Sequence, residues 1–204
     1  MDHVIDLDRR QRKRQALHQQ LLDSAEQLFL SRGVGKTTVE DIAEAADVAR
    51  QTVFNHFPYK EALALELASD GVQKVAYQAH VLLEAGSPAL EVLEQVSRWL
   101  LDTAIEQGEL AVVVARELMH PDPDRALRAR EKLPLTQMFE AILMQAREEH
   151  AARRDLPIGI VADRISGVLI AVLSRVTALN EEELRRELAV CFDIVFNGIT
   201  ERRI

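Results

Sequence analysis

The sequence predicts an all-α protein, with an N-terminal helix-turn-helix domain joined to a C-terminal helical domain and about nine helices in total. Three observations support this. Leu, Ala, Glu and Arg recur at helical spacing along the chain. Gly and Pro are few, eight and six among 204 residues. Two very short helical segments joined by a three-residue turn lie near the N-terminus. We place the first domain at residues 1–60, with a basic arm, and the second at residues 61–204.

The cellular setting is constrained by cysteine usage and by hydropathy. Cys191 is the only cysteine, so neither an intrachain disulfide nor a paired-cysteine metal site can form. The N-terminus has acidic and basic residues where a signal peptide needs an apolar core. The longest apolar stretch, residues 165–179, is interrupted by Arg175. We therefore expect a cytoplasmic protein with no membrane segment.

Charge is distributed unevenly along the chain. The net charge is −8, yet residues 9–60 carry nine Lys and Arg against six Asp and Glu. Five basic residues lie close together at the start of this stretch: Arg9, Arg10, Arg12, Lys13 and Arg14. A local basic cluster can still bind phosphate on an acidic chain, because charges are screened beyond about 8–10 Å. The alternative is a basic arm that is simply solvated.

Local signals divide the N-terminal part into four helices. Gly33 is typical of a helix end, and Pro58 terminates the third segment. Two capping boxes fit the start of the second helix, Thr37 with Glu40 or Thr38 with Asp41. The predicted helices cover residues 15–32, 39–46, 50–57 and 60–83.

The second and third of these helices form the predicted helix-turn-helix. Ile42 and Ala43 are placed to pack the second helix across the third and to fix the angle between them. The third helix can then project its N-terminal side chains into a major groove wide enough to admit one helix. Double-stranded DNA is therefore the predicted partner of this domain.

This segment resembles the tetracycline-repressor (TetR) family from about Ala16 to Leu67. The resemblance rests on Ala25–Phe29, Gly33, Thr37–Ala43, Thr52–Phe57 and Lys60–Leu63, in this order and spacing. Beyond residue 67 only the architecture is similar. The resemblance implies a homodimeric regulator, a repressor, that binds a palindromic operator and releases it when a small molecule enters the C-terminal domain.

The resemblance also implies which side chains contact DNA. Arg50 and Gln51 begin the recognition helix, and their side chains suit guanine and adenine edges. Phe54 stands where the family has tyrosine, so packing is its alternative role, and His56 has the same alternative. The other residues are expected to contact phosphates or, for Thr52, a thymine methyl group. The full predicted set is Lys36, Thr38, Arg50, Gln51, Thr52, Phe54, Asn55, His56 and Lys60.

Three departures from the family pattern affect the operator sequence rather than DNA binding itself. Asp47 replaces the usual turn glycine, and aspartate tolerates the left-handed conformation better than most residues. Ala49 replaces a serine or threonine N-cap, which weakens that helix start by about 0.5–2 kcal/mol. Gln51 replaces a small residue and places a longer side chain at the groove.

The C-terminal domain is expected to contain an effector pocket among its middle helices. Few aromatic residues are present, which favours an aliphatic effector, such as an acyl chain, over a planar one. Arg116 and Gln137 are candidates to orient a polar end, although the apolar members equally fit a plain core. The predicted ligand-binding residues are Trp99, Val113, Arg116, Met119, Gln137, Met138, Phe139 and Ile142.

The last two helices, predicted at residues 157–179 and from Asn180 onward, carry more apolar surface than one subunit needs to cover. This surplus predicts an isologous dimer with a four-helix interface, in which Ile165 and Phe192 are expected contacts. The alternative is that both faces pack within a single subunit.

Two alternative functions were weighed against a DNA-binding regulator. His120, Asp122 and Asp124 are residue types that bind metals in an enzyme. Their neighbouring prolines and a helix N-cap at Asp122 explain them better, so we predict no enzyme, no metal and no cofactor. A helical small-molecule-binding protein without operator binding is the other alternative, and the intact segment from Thr52 to Lys60 argues against it.

Overall fold

The structure, a computed structural model, describes the backbone of residues 2–200 and the side chains of residues 9–200. In this part of the chain, ten α-helices form the fold, close to the predicted number of about nine. None of them is long and apolar enough to cross a membrane. The helices are α1 (Asp2–Arg32), α2 (Val39–Ala45), α3 (Arg50–His56), α4 (Lys60–Glu84), α5 (Ala89–Gln107), α6 (Glu109–Leu118), α7 (Pro123–Lys132), α8 (Leu135–Glu148), α9 (Ile158–Leu173) and α10 (Glu181–Ile199).

The first helix is longer than predicted. The sequence predicted a helix from residue 15, with a basic arm before it, whereas α1 already begins at Asp2. The basic residues 9–14 are therefore helical, and all of their side chains are exposed. Lys and Arg are good helix formers, and no glycine or proline interrupts this stretch.

The N-terminal unit is held together by one small apolar core. Leu21 and Ala25 of α1, Ile42 of α2 and Val53 of α3 are buried, and α2 packs against both neighbouring helices. Thr37 is also buried and donates its hydroxyl to the Gly33 carbonyl oxygen, 2.8 Å away. The predicted helix-turn-helix packing is thus confirmed.

The start of α2 settles which of the two capping boxes forms. The Thr38 hydroxyl accepts from the backbone N–H of Asp41 at 3.1 Å, and the Asp41 carboxylate accepts from the Thr38 N–H at 2.8 Å. The Thr38 hydroxyl also donates to the Asp41 carboxylate at 2.7 Å. The bond from the Thr38 N–H, together with this bond from the hydroxyl, holds the pKa of Asp41 below its usual range. The register that begins at Thr37 is not used, because that hydroxyl is committed to Gly33.

The turn between α2 and α3 confirms two expectations from the sequence. Asp47 adopts a left-handed backbone conformation, with φ of 49°. Ala49 is the N-cap of α3 and offers no side-chain hydrogen bond. The recognition helix therefore begins without the cap that serine or threonine supplies.

The C-terminal unit begins inside a helix. The chain separates into two compact units between Leu67 and Ala68, part-way along α4. In the second unit α8 packs mainly against α9 and α5, and Phe139, Leu93 and Ile165 are among its most deeply buried side chains.

The helices of this unit begin at the predicted caps but end earlier than predicted. Asp122 caps α7, with Pro123 in its first turn, and Asn180 forms a capping box with Glu183 at the start of α10. Helix α8 ends at Glu148, just before His150, which has a positive φ of 57°. The sequence predicted that α9 continues to residue 179, whereas this helix ends at Leu173.

Two glycines of this unit predict opposite effects of alanine. At Gly71, inside α4, a methyl group meets Thr103 Cγ2 at an ordinary 3.9 Å, so Gly71→Ala should stabilise the fold by about 0.5–1 kcal/mol. Gly108, between α5 and α6, has φ of 54° and ψ of −115°, so Gly108→Ala should cost about 1–3 kcal/mol. Urea unfolding of both variants measures the two effects, and equal shifts in midpoint contradict the prediction.

Candidate nucleic-acid interface and effector cavity

Helix α3 presents three of its six predicted DNA-contacting side chains fully to solvent. Arg50, Gln51 and Asn55 are exposed, Phe54 is half-buried, and Val53 anchors the helix in the core. The Gln51 amide donates to the Asn55 side-chain oxygen at 3.3 Å. This arrangement leaves one face of α3 available to a groove, as the sequence predicted.

Arg50 is held by two neighbours. Its Nε lies 2.8 Å from the Glu40 carboxylate, and its guanidinium lies 5.2 Å from the centre of the Phe54 ring. The Phe54 ring therefore packs against the Arg50 guanidinium group, and part of the ring faces this side chain instead of solvent. To reach a base edge, Arg50 must exchange the Glu40 carboxylate for a DNA acceptor.

The predicted phosphate contacts are in different environments. Lys36 is exposed, and Thr52 is half-buried on α3. The Thr38 hydroxyl lies 2.7 Å from the Asp41 carboxylate and already serves the α2 cap. Only a rearrangement of that cap releases this hydroxyl to an external phosphate.

Lys60 has a structural role that the sequence did not reveal. Its Nζ donates to the Val34 carbonyl oxygen at 2.6 Å and to the Thr37 carbonyl oxygen at 2.8 Å. The side chain thereby fastens the start of α4 to the turn between α1 and α2. Two of its three donors are committed, which leaves one for a phosphate.

His56 belongs to a small polar cluster. Its Nδ1 lies 3.4 Å from Nδ1 of His18, whose Nε2 lies 2.6 Å from the Glu66 carboxylate. The His18 ring also stacks on Phe57, with ring centres 4.6 Å apart. Burial lowers the pKa of His56 below its ordinary value of 6.5, and the charges of His18 and Arg14 lower it further.

This pKa shift predicts how the stability of the N-terminal unit depends on pH. Below pH 6.5 the unfolded chain takes up a proton at residue 56 more readily than the folded chain does. The free energy of unfolding should therefore fall between pH 7.5 and pH 5.5, and His56→Gln should reduce that fall. Urea unfolding at both pH values measures it. An equal fall in the wild type and the variant contradicts the assignment.

The basic segment of α1 lies near this cluster. The charge of Arg14 is close enough to lower the pKa of His56, and Arg14 itself is exposed. One predicted phosphate contact and the basic segment thus adjoin each other.

A cavity lies among the helices of the C-terminal unit, at the level of α4, α5, α6 and α9. Its cavity volume is about 50 Å³, which rises to about 540 Å³ when the gaps between the lining atoms and the open solvent at its mouth are included. No aromatic side chain is among the described residues that line it. The lining residues are Ala68, Gly71, Val72, Leu100, Thr103, Ala104, Gln107, Ala111, Val114, Ala115, Leu118, Leu133, Leu135, Ile170 and Leu173.

The eight residues predicted to bind the effector lie elsewhere. Met138, Phe139 and Ile142 are buried in the core of α8. Trp99 and Val113 are half-buried, and Arg116, Met119 and Gln137 are exposed. None of the eight lines the cavity, and Met119, which follows α6, lines a neighbouring depression instead.

Two polar side chains on the cavity wall were missed by the sequence reasoning. Thr103 and Gln107 of α5 line the cavity, and neither side chain has a hydrogen-bond partner within the described part of the chain. They lie four residues apart, on one face of a helix. The i, i+4 spacing of these two polar residues among apolar neighbours can be recognised in the sequence. Which side of α5 faces the cavity cannot.

The residues weighed as a metal site act instead in the turn before α7. The His120 Nδ1 accepts from the Asp122 N–H at 3.1 Å, and the Asp122 carboxylate accepts from the Asp124 N–H at 3.0 Å. Among the residues that the structure describes, no group of three or more His, Cys, Asp or Glu could hold a metal ion.

Comparison with known protein families decides what the two units are. Residues 21–67 match the family model for bacterial regulatory proteins of the tetR family. Residues 69–198, well over half of the chain, match the model for the C-terminal domain of TetR/AcrR family transcriptional repressors. The chain belongs to the TetR/AcrR family of transcriptional repressors. The predicted family and all-helical fold are therefore confirmed.

Individual TetR/AcrR proteins resemble most of the chain. The transcriptional repressor DhaR of Mycobacterium sp. strain GP1 is 28% identical over 183 residues, covering 88% of this chain and 92% of DhaR. The crystal structure of Thermus thermophilus FadR in complex with lauroyl-CoA is 30% identical, with a TM-score of 0.83, covering 92% of this chain and 97% of FadR. Bacillus subtilis FadR, solved with stearoyl-CoA, is 18% identical with a TM-score of 0.64, covering 88% of this chain and 95% of that FadR chain, which shows the fold alone.

Proposed function

We propose that this repressor binds a palindromic operator as a homodimer and releases it when a fatty acyl thioester occupies the cavity of the C-terminal unit. The observation that carries the proposal is the aliphatic cavity itself. Its wall combines Leu, Ile, Val and Ala with the single hydroxyl of Thr103 and the amide of Gln107. An apolar wall with few polar groups is typical of a site for an alkyl chain.

The identity of the effector class rests on this wall and on one related protein. Thermus thermophilus FadR, which is 30% identical to this chain, was crystallised with lauroyl-CoA. A cavity without aromatic side chains offers a flexible alkyl chain many contacts and offers a planar ring no stacking partner. We therefore favour a medium- or long-chain acyl thioester over an aromatic effector.

Dimerisation through α9 and α10 is supported by apolar side chains that a single chain leaves exposed. Ile160 of α9 and Val190 and Ile194 of α10 are large and exposed. Val190 and Ile194 are four residues apart and so share one face of α10. Two recognition helices of such a dimer read half-sites roughly 34–36 Å apart.

The proposal predicts that lauroyl-CoA weakens operator binding about 5- to 150-fold, the usual range of allosteric coupling. Fluorescence anisotropy with DNA from upstream of the gene measures the affinity, with coenzyme A alone as the ligand control. The Ala111→Phe variant should fill the cavity and lose the response while keeping DNA affinity, because Ala111 lies on its wall.

The matched control is Ala141→Phe, on α8, which is exposed and does not line the cavity. This variant should respond to lauroyl-CoA as the wild type does. Operator affinity that lauroyl-CoA leaves unchanged in the wild type contradicts an acyl thioester effector. Equal responses in the two variants contradict the assignment of this cavity.

A further inference from the structure

The basic segment of α1, residues 9–14, extends beyond the core of the N-terminal unit. Within the described part of α1, the first buried side chain is that of Leu21, and Leu17 and His18 before it are half-buried. All side chains of residues 9–16 are exposed. These residues form about two helical turns that contribute no buried side chain to the core. The packing of the N-terminal unit therefore does not explain this segment.

Positive charge is concentrated in the basic segment. Five of the residues at positions 9–14 are Lys or Arg, and no Asp or Glu occurs between Arg9 and Leu22. Arg10 and Arg14 are four residues apart, a spacing at which like charges on a helix repel each other. Within the described part of the chain, neither Lys13 nor Arg14 forms an ion pair or a side-chain hydrogen bond. An anionic partner would relieve this repulsion.

The basic segment adjoins the end of the recognition helix. Arg14 and His18 are four residues apart and therefore share one face of α1. His18 Nδ1 lies 3.4 Å from Nδ1 of His56, the last residue of α3. Burial lowers the pKa of His56, and the charges of His18 and Arg14 lower it further. Arg14 is thus within electrostatic range of α3, one helical turn from the side chain that contacts it.

We infer that the basic segment is a second DNA-contacting surface, in which Lys13 and Arg14 bind backbone phosphates beside the end of α3. Its charge is complementary to the DNA backbone, and it is continuous with the helix that the family uses to read an operator. The segment extends a helix whose Leu21 and Ala25 are fixed in the core, so its charges are held in register with α3.

This surface contributes affinity without base preference, because every sequence presents the same phosphates. The inference rests on the DNA binding in the proposed function and is independent of the effector.

The test measures how the DNA affinity of Lys13→Gln/Arg14→Gln depends on salt concentration. Fluorescence anisotropy on the full chain uses a duplex from upstream of the gene and an unrelated duplex of equal length. Because each phosphate contact contributes about 0.9 to the slope of log affinity against log salt, loss of two contacts per protomer should lower the slope of a dimer by about three to four. Affinity for the upstream duplex should fall roughly 10- to 100-fold. The ratio of the two affinities should stay within about threefold.

Two variants control for charge and for structure. Lys74→Gln/Arg128→Gln removes one lysine and one arginine from exposed positions of the C-terminal unit and should leave the slope unchanged. Lys13→Arg/Arg14→Lys keeps both charges and should keep the slope of the wild type. Glutamine is a good helix former, so the test variant should retain its helix content by circular dichroism.

Each other outcome overturns a stated part. An unchanged slope in Lys13→Gln/Arg14→Gln overturns the inference, and so does an equal change in Lys74→Gln/Arg128→Gln. A large fall in the affinity ratio shows base recognition and overturns the phosphate role. A wild type that binds neither duplex overturns the DNA binding in the proposed function, and the inference with it.

Discussion

An Ile194→Arg variant is expected to remain folded, become a monomer and lose roughly 10²- to 10⁴-fold in operator affinity. Ile194 is 67% exposed in the single chain, so arginine fits there without disturbing the core of the protomer. In the proposed dimer, the same arginine is buried in an apolar contact without a partner. The DNA affinity falls because the dimer links two recognition helices, so that binding of one raises the local concentration of the other, and a monomer lacks this effect.

Light scattering measures the mass of the variant, and anisotropy measures its DNA affinity. Met144→Arg, on α8, is the matched control, because Met144 is a comparably exposed apolar residue outside the two predicted interface helices. It should stay dimeric. An Ile194→Arg protein that is still dimeric at micromolar concentration contradicts an interface through α10.

The substitutions that the sequence alone recommended for this test are the wrong ones. Ile165 and Phe192, the expected interface contacts, are 2% and 6% exposed within the protomer. An arginine at either position places a charge in the core, which costs on the order of 4 kcal/mol and unfolds the chain. Periodicity identified the apolar helices correctly but could not tell which of their faces packs inside one subunit.

The second large effect is expected at the recognition helix. Arg50→Ala should cost about 1–3 kcal/mol of operator binding and relax the preference at one base position. Glu40→Gln should act in the opposite direction, because it removes the carboxylate that holds Arg50 in the free protein. Competition binding against a panel of single-base operator variants measures both effects.

His56→Ala provides the contrast for this experiment. A residue that contacts the backbone should weaken all operator variants almost equally, whereas a base contact changes their order. If Arg50→Ala leaves affinity and base preference intact, Arg50 does not read the operator. If Glu40→Gln weakens binding, the ion pair positions Arg50 rather than competing with DNA.

Features governed by neighbouring residues could be predicted well. Helix starts at Asn180 and Asp122, the left-handed Asp47 and the uncapped Ala49 depend on residues within one turn, and the structure has them where the sequence placed them. The hydrogen bonds of Lys60 to Val34 and Thr37 could not be predicted in this way, because they join residues more than 20 positions apart.

The residues that line the cavity show the same limit of prediction from sequence, here at the level of single positions along a helix. Trp99, Val113 and Met119 were predicted to line it, and in each case a sequence neighbour does so instead, namely Leu100, Val114 and Leu118. One position along a helix turns a side chain by about 100°. The sequence therefore identified α5 and α6, two of the helices that line the cavity, while the inward direction depended on long-range packing that a single amphipathic pattern does not define.

The role of Lys60 changes how sequence variation among relatives should be understood. Because its ammonium group joins the carbonyl oxygens of Val34 and Thr37, this lysine is constrained by the conformation of residues 33–37. Arginine preserves the charge but cannot place a compact donor between two carbonyls in the same way. Evolution of a new operator specificity can therefore alter α3 and retain Lys60. Loss of Lys60 in a descendant should accompany insertions or substitutions in the preceding loop.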